Sequence, residues 1–280
     1  MTWCVVAAGV AFATAGIAAW WNRRVRGFLP DDLPRAGRKQ HARPVPLAGI
    51  VLVPAVAWWL VAAERWWLLV AMGLAAGTGF VDDWRKERGD GLDWRWKAAG
   101  LFAASAAGIA ASVSAGAPWW LLAGALLFVF VVTNATNFLD NTDGVACALA
   151  ATSLIVLGGA SDEYAAVGFA ALGFLPWNWP RARLFLGDSG AYALGLATGV
   201  AVVDRCFGTS HATPLFAVTV QLVDFVQVVM ARLVIGHPPW VGDRRHLTHV
   251  AQNLGVPARW IAPLFAAIAL TFALVGRTMR

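Results

Sequence analysis

Long apolar stretches alternate with short polar ones along the whole chain, and this alternation predicts the fold. Ten stretches are apolar enough for bilayer helices, although several are shorter than the roughly 20 residues that a full crossing needs. The pattern predicts an all-α, polytopic integral membrane protein with about ten transmembrane helices, in a single membrane-embedded domain of residues 1–280. The stretches are residues 2–21, 46–63, 66–80, 98–114, 118–136, 144–160, 164–176, 186–203, 213–235 and 258–276.

The composition supports the membrane assignment. Hydrophobic residues make up 59% of the chain and charged residues 14%, whereas a typical soluble domain is about one quarter charged. The net charge of +6 is attributed to membrane topology and to attraction for anionic lipid and phosphate, and no nucleic-acid partner is expected. The three cysteines are scattered and indicate neither a disulfide framework nor a metal motif.

Basic residues are concentrated in alternate loops. Counting the adjoining helix ends, these loops carry 18 of the 22 Lys and Arg residues, and they also hold nearly all other polar residues. The positive-inside rule therefore places them in the cytoplasm and both termini outside, in the plasma (inner) membrane. The loops are residues 22–45, 81–97, 137–143, 177–185 and 236–257.

The polar stretch from Asn134 to Gly144 lies between two strongly apolar runs and carries two carboxylates, Asp140 and Asp143. Acids at the mouth of a membrane helix are costly, so they are functional candidates. If the segment stays helical, Asn134, Asn137 and Asn141 share one face. The alternative is a solvated loop between helices, where Asn, Asp and Gly are common.

A second acidic site ends the apolar run 66–80. Asp82 and Asp83 are adjacent, with Lys86 one helical turn beyond Asp82 and Lys97 at the end of the same loop. Two neighbouring carboxylates repel each other, so a cation has to balance them, either Mg²⁺ or the nearby basic side chains. The alternative is an ordinary charge cluster at a helix end.

Three further sites lie in the remaining polar loops. Asp188 stands in Gly-Asp-Ser-Gly, which allows close backbone approach to a ligand and offers one metal-binding acid, although the motif is also a common turn. Arg43 belongs to a basic, Pro-rich first loop that suits phosphate, or that only anchors the chain in the membrane. Arg244, His246 and His249 suit phosphate or sugar recognition better than zinc, because no cysteine is near.

Three aspartate-bearing loops and two basic loops with histidine are thus predicted to meet at one membrane face. Mg²⁺ bridges phosphate oxygens, carboxylates hold the ion, and basic side chains absorb the remaining negative charge. The combination favours a magnesium-dependent reaction of a phosphate or diphosphate, with an active site on cytoplasmic loops. The apolar surroundings indicate that one substrate is a lipid.

Together these loops resemble the polyprenyl-phosphate N-acetylhexosamine-1-phosphate transferase family, over residues 32 to about 250. The branch that initiates O-antigen and other surface-glycan synthesis is the more similar, and the muramoyl-pentapeptide branch is less so. Four motifs in the family's order carry the resemblance. They are Gly79–Asp83, Asn134–Gly144, Phe185–Gly190 and Asp243–His249.

The resemblance implies a reaction and its partners. A UDP-linked N-acetylhexosamine gives its sugar 1-phosphate to undecaprenyl phosphate, producing a lipid diphospho-sugar and UMP in the first membrane step of cell-surface glycan synthesis. The cofactor is Mg²⁺, with Mn²⁺ as an alternative, and the protein is expected to contact membrane lipid and to form a homodimer.

The resemblance also assigns roles to the acids. Asp82 or Asp83 would deprotonate or position the lipid phosphate. Asp188 would bind Mg²⁺. Asp140 and Asp143, together with Asn137, would contact the nucleotide and the diphosphate.

The other matching positions are assigned to substrate binding. Lys86 and Lys97 correspond to basic positions near the lipid phosphate. His246 and His249, with Arg244, would hold the diphosphate or the sugar. The full predicted substrate-binding set is Arg43, Lys86, Lys97, Asn134, Asn137, Arg244, His246 and His249.

The chain departs from the family pattern at three positions, and two rival functions remain. Thr248 stands where a second histidine is frequent, Ala48 replaces one glycine of a pair, and Ala191 replaces a frequent serine.

A membrane prenyltransferase also binds Mg²⁺-diphosphate, but it would need two similar Asp-rich clusters. A transporter would place its acids near the middle of the membrane and show an internal repeat.

Overall fold

A computed structural model describes residues 2–25, 27–34, 43–110, 117–159 and 162–279. The basic residues Arg38, Lys39 and His41 of the first polar loop lie outside these ranges.

The described part of the chain is almost entirely helical. A short antiparallel pair joins two residues within the first polar loop, β1 (Asp31–Asp32), to two at its end, β2 (Val45–Pro46). Short 3₁₀ turns, Gly49–Val51 and Thr213–Val218, lead into the second and ninth helices. The α-helices are α1 Thr2–Arg24, α2 Leu52–Ala62, α3 Trp66–Glu87, α4 Trp94–Ala110, α5 Trp119–Phe138, α6 Val145–Gly158, α7 Glu163–Asn178, α8 Gly187–Thr209, α9 Thr219–Val234, α10 Leu247–Asn253 and α11 Ala258–Thr278.

The predicted all-helical architecture is confirmed, and each predicted apolar stretch overlaps largely with one of the longer helices. The added helix, α10, is a short one inside the last polar loop. Four helical segments are long and apolar enough to cross a membrane, judged by length and composition over the described residues, so the number of about ten crossings stays a prediction. They are Thr2–Arg24, Trp119–Phe138, Thr213–Val234 and Ala258–Thr278.

Helix α8 occupies the centre of the molecule, and most of its residues are buried. It packs mainly on α3 and α5. Small residues make these contacts close: a Cβ at Gly195 would lie 2.9 Å from Thr133 Cα, and one at Gly199 would lie 3.1 Å from Val129 Cα. Close backbone approach through Gly and Ala is the usual way in which membrane helices associate.

The start of α8 is held from two sides. A Cβ at Gly79 of α3 would overlap the backbone of Asp188 and Ser189. On the other side, Ala48 N–H donates to Phe185 O at 2.9 Å. The N-terminus of α8 therefore has a fixed position against α3, and this contact positions the acids described below.

Candidate active site

Asp83 ties the end of α3 to the start of α8. Its carboxylate is buried, and it accepts backbone N–H bonds from Asp188 at 3.2 Å and from Ser189 at 3.1 Å. The first backbone N–H groups of a helix have no partner within the helix, and a carboxylate there also meets the positive end of the helix dipole. Asp83 therefore fixes the backbone that carries Asp188.

Asp82 and Asp188 share two lysines. Lys86 Nζ lies 2.7 Å from Asp82 Oδ2 and 2.9 Å from Asp188 Oδ2. Lys97 Nζ lies 2.7 Å from Asp82 Oδ2 and 3.9 Å from Asp188 Oδ2. Asp82 Oδ1 also accepts the backbone N–H of Leu92 at 2.6 Å, which holds the α3–α4 turn over the site.

The end of α5 supplies the next two groups. Asn137 Nδ2 donates to Asp188 Oδ1 at 3.0 Å. Asp140 follows two residues after the helix ends and is half-buried. Its pKa is raised well above the usual range, first by burial and then by the negative charges of Asp188 and Asp83. Asp140 thus belongs to the same group of acids, and Asp82, Asp83, Asp140 and Asp188 are called the carboxylate cluster below.

Asp143 points to a different neighbour. Its Oδ2 accepts the backbone N–H of Ala182 at 2.9 Å, in the segment between α7 and α8. Beside it, Gly144 N–H donates to Asn178 Oδ1 at 3.1 Å. These two bonds hold the α7–α8 segment against the α5–α6 turn, so the structure gives Asp143 a supporting contact at the edge of the site.

The three asparagines expected on one helical face have three different partners instead. Asn134 lies within α5, where its Nδ2 donates to the carbonyl of Phe130. Asn137 reaches Asp188, as described. Asn141 lies beyond the end of α5, and its Oδ1 accepts the hydroxyl of Thr248 at 2.5 Å. Helix α5 ends at Phe138, before the polar stretch ends, and the remaining residues up to Gly144 form turns.

The last polar loop is anchored to α9 by a buried aspartate. Asp224 is fully buried, and its Oδ2 lies 2.8 Å from His246 Nδ1. The ring of His246 packs edge-on against Phe138 at the end of α5, with 5.5 Å between centroids. The sequence interpretation missed Asp224, although an acid within the apolar stretch 213–235 is itself a signal of function.

A second anchor lies two turns further along α9. Arg232 is buried, and its guanidinium lies 4.9 Å from the ring centroid of Phe138. It bonds to Asp243 at 3.1 Å, and Asp243 also pairs with Arg245 at 2.9 Å. Burial opposes ionisation of Asp243, but hydrogen bonds from Arg232 and Arg245 outweigh it and lower its pKa to about 2.

Arg244 and His249 lie on the same loop, near His246. Arg244 is exposed and His249 is half-buried. The pKa of His249 is lowered, first by burial and then by its neighbours Arg244 and His246. Trp240 of this loop stacks on Trp94 at the start of α4, with 4.8 Å between centroids, so the loop reaches towards Lys97.

Arg43, in the first polar loop, is exposed just before β2, and its role in substrate binding stays a prediction.

The carboxylate cluster fits a divalent cation. It brings four acids and two lysines together, and its donors are the carboxylate oxygens that Mg²⁺ prefers. Among the described residues, no three Asp, Glu, His or Cys side chains converge into a complete metal cage. This is also expected for Mg²⁺, which usually takes one or two carboxylates and completes its shell with water and phosphate oxygens.

Comparison with known proteins identifies the family. The model of glycosyl transferase family 4 matches residues 65–205, which include the whole carboxylate cluster. A candidate glycosyltransferase of Streptomyces coelicolor is 32% identical, over 85% of this chain and 62% of its own length.

Two further relatives have more specific names. An undecaprenyl-phosphate alpha-N-acetylglucosaminyl 1-phosphate transferase of Thermotoga maritima is 30% identical, over 53% of this chain and 49% of its own. A phospho-N-acetylmuramoyl-pentapeptide-transferase of Acetivibrio thermocellus is 29% identical, over 62% of each. The chain thus spans about half to three-fifths of the length of these relatives. The resemblance seen in the four motifs is confirmed, and the chain belongs to glycosyl transferase family 4.

Proposed function

We propose that this protein transfers N-acetylhexosamine 1-phosphate from a UDP-sugar to undecaprenyl phosphate or a similar polyprenyl phosphate. The lipid phosphate oxygen forms a bond to the sugar-bearing phosphorus, and the bond from that phosphorus to the bridging oxygen breaks. The products are a polyprenyl diphospho-sugar and UMP. The observation that carries the proposal is the carboxylate cluster with its two lysines, assembled from three motifs that are far apart in sequence.

The chemistry of the donor set supports Mg²⁺ as the cofactor. Asp188 and Asp140 would hold the ion together with diphosphate oxygens, and Asn137 would keep the Asp188 carboxylate turned towards it. The chemistry that the ion would supply is neutralisation of charge on the diphosphate and on the departing UMP. Mn²⁺ has similar ligand preferences and is expected to substitute.

Lys86 and Lys97 suit the acceptor phosphate. Both ammonium groups lie at the cluster and are partly exposed, with 44% and 23% of the side chain accessible. A phosphate monoester that binds there can pair with the two lysines in place of Asp82. The Asp82 carboxylate is then free to accept a proton from the phosphate or to hold the phosphate in position. Asp83 is assigned the positioning of α8, because both of its oxygens already accept backbone N–H bonds.

The reaction would stand at the start of a glycan. Its product is a lipid-linked monosaccharide, so the enzymes that use it must extend that sugar. We assign the site to the cytoplasmic face of the inner membrane, because UDP-sugars are cytoplasmic and the basic loops lie on the side of the site. A role in O-antigen initiation and a homodimeric state are part of the same proposal.

Release of UMP by purified protein tests the function. UMP should form from a UDP-N-acetylhexosamine only when undecaprenyl phosphate is present, and chelation by EDTA should stop it until Mg²⁺ is restored. A panel of UDP-sugars identifies the donor. A prenyltransferase or a transporter would release no UMP under any of these conditions, and that result would reject the proposal.

A further inference from the structure

A buried carboxylate outside the carboxylate cluster is hydrogen-bonded to one of the predicted substrate-binding histidines. Asp224 Oδ2 lies 2.8 Å from His246 Nδ1, and its Oδ1 accepts the backbone N–H of Leu247 at 2.6 Å. Both oxygens are therefore bonded to the same short segment of the last loop. Asp224 is fully buried within a segment apolar enough to cross a membrane, where an acid is costly and usually functional.

The contact determines which ring nitrogen of His246 carries hydrogen. An ionised carboxylate can only accept hydrogen bonds, so Nδ1 must be the donor. In neutral imidazole, Nε2 then keeps its lone pair and acts as an acceptor. Within the described ranges of the chain no hydrogen bond reaches Nε2, and packing against Phe138 fixes the plane of the ring.

We propose that Asp224 is a positioning residue that holds His246 in the Nδ1–H tautomer, so that Nε2 accepts a hydrogen bond from the N-acetylhexosamine of the UDP-sugar. This inference rests on the proposed function. A diphosphate at neutral pH has no hydrogen-bond donor to offer to Nε2. The sugar has hydroxyl groups and an acetamido N–H.

The position of the ring favours a contact with the sugar over one with the uracil. His246 packs on Phe138, which lies two residues before Asp140 of the carboxylate cluster. The diphosphate is assigned to that cluster, and the hexose is attached to it directly. The uracil, in contrast, is separated from the diphosphate by the ribose.

Exchange of Asp224 for Asn should reverse the tautomer, for a reason that the structure makes specific. Leu247 N–H needs an acceptor, so the amide oxygen of the new side chain should stay on that bond. The amide nitrogen then faces His246 Nδ1 and can only donate to it. The ring would respond by moving its hydrogen to Nε2, and an acceptor for the sugar would become a donor.

The experiment compares binding of UDP and of a UDP-N-acetylhexosamine to the full-length protein, with ¹⁵N-histidine NMR as a readout independent of activity. In wild type, His246 should give the signature of the Nδ1–H tautomer. In Asp224→Asn it should give the Nε2–H signature, and affinity for the UDP-sugar should fall about 10- to 100-fold, the usual cost of a lost buried hydrogen bond. Affinity for UDP should stay within about twofold.

Asp243→Asn is the matched control. It weakens the other anchor between α9 and the loop, the bond to Arg232, without touching the imidazole. It should weaken UDP and UDP-sugar binding by the same factor and leave the tautomer unchanged. If Asp224→Asn behaves in the same way as this control, Asp224 is only a loop anchor and the proposal is wrong.

His246→Asn keeps the test decisive if Asp224→Asn does not fold. The amide nitrogen of Asn occupies nearly the position of Nδ1 and preserves the bond to Asp224, but nothing replaces Nε2. This variant should bind UDP as wild type does and lose its preference for the UDP-sugar, and an unchanged preference would overturn the proposal. Wild type that binds UDP-sugar but releases no UMP when undecaprenyl phosphate and Mg²⁺ are added would instead reject the proposed function.

Discussion

At the scale of single residues, neighbouring acids have different bonds. Asp82 is paired with two lysines, whereas Asp83 accepts two backbone N–H bonds at the start of α8. The difference follows from helix geometry, since consecutive side chains on α3 point about 100° apart. One acid therefore faces the lysines, and the other faces α8.

Exchange of Asp188 for Asn should abolish turnover that depends on Mg²⁺. The variant loses one negative charge at the point where Lys86 and Asn137 converge, although its size is unchanged. We expect a loss of about 10²- to 10³-fold in kcat, comparable to the loss of other groups that stabilise charge in the transition state. UMP release over a Mg²⁺ titration measures it, and wild-type turnover at any Mg²⁺ concentration would contradict the assignment.

Asp143→Asn is the natural comparison. Asp143 accepts a hydrogen bond from Ala182 N–H, which an amide oxygen can also accept. We therefore expect a loss of less than about tenfold, accompanied by a small decrease in thermal stability. The same assay, with thermal unfolding of the detergent-solubilised protein, separates the two acids, and equal losses in both variants would place Asp143 among the reacting groups.

Residue identity in the cluster was readable from sequence, but residue partners were not. Asp82, Asp140 and Asp188 stand out because acids at the ends of apolar runs have no packing role. Asp224 and Arg232 were missed as site residues, since each is an isolated charged residue within one long apolar stretch. Their partners His246 and Asp243 are distant enough in sequence that only the folded chain brings them together.

At the scale of secondary-structure elements, the contact between α3 and α8 decides the geometry of the site. Gly79 lies where the two helices touch, and the missing side chain lets Asp83 reach the backbone of Asp188 and Ser189. Two residues earlier, a Cβ added at Gly77 would meet no neighbouring helix or side chain of the described chain within 4 Å. The same helix thus offers one glycine that the site requires and one that it does not.

Gly79→Ala should therefore separate α3 from α8 and reduce activity. The added methyl group overlaps backbone that has no rotamer to change, so the helices must move apart, at a cost of about 1–3 kcal/mol in stability. A displacement near 1 Å at reacting groups reduces rate by roughly 100-fold.

Gly77→Ala is the control on the same helix. It should keep wild-type activity and gain up to about 1 kcal/mol in stability, because Ala is the better helix former. UMP release and thermal unfolding of both variants check the prediction. Equal activity of the two variants would show that the α3–α8 distance is not critical.

The positions of the helices were predictable because each long helix coincides with an apolar stretch. The ends of the helices were harder to predict. α3 continues to Glu87, beyond the predicted end at residue 80, because its last turns carry the polar residues of the site. Helix α10 was not predicted, since a seven-residue helix in a polar loop has no apolar run to mark it. These two departures fall in segments that carry site residues, where polar residues replace the apolar pattern.

At the scale of the whole molecule, the site residues occupy one end of the helical bundle. Asp82 lies in the last turns of α3, Asn137 near the end of α5, and Asp188 in the first turn of α8. Their direct contacts show that these three ends meet. The opposite ends carry a separate set of charges, in which Arg65 pairs with Glu163.

The distribution of basic residues predicts which end of the bundle faces the cytoplasm. Val241 lies in the last polar loop on the side of the site, and His211 lies beyond the far end of α8; both are exposed. A single cysteine at each position, in a background with Cys4, Cys147 and Cys206 replaced by Ala, reports on the two sides. In spheroplasts, a membrane-impermeant maleimide should label His211→Cys and leave Val241→Cys unlabelled.

Labelling after lysis provides the control, because both cysteines should then react. A reversed pattern in spheroplasts would place the carboxylate cluster on the outer face, away from cytoplasmic UDP-sugars. The transferase proposal could not survive that result, however well the acids and lysines fit the chemistry. The assigned substrate therefore depends on the orientation of the bundle. The asymmetry of 18 against 4 basic residues predicts that the end with the site faces the cytoplasm.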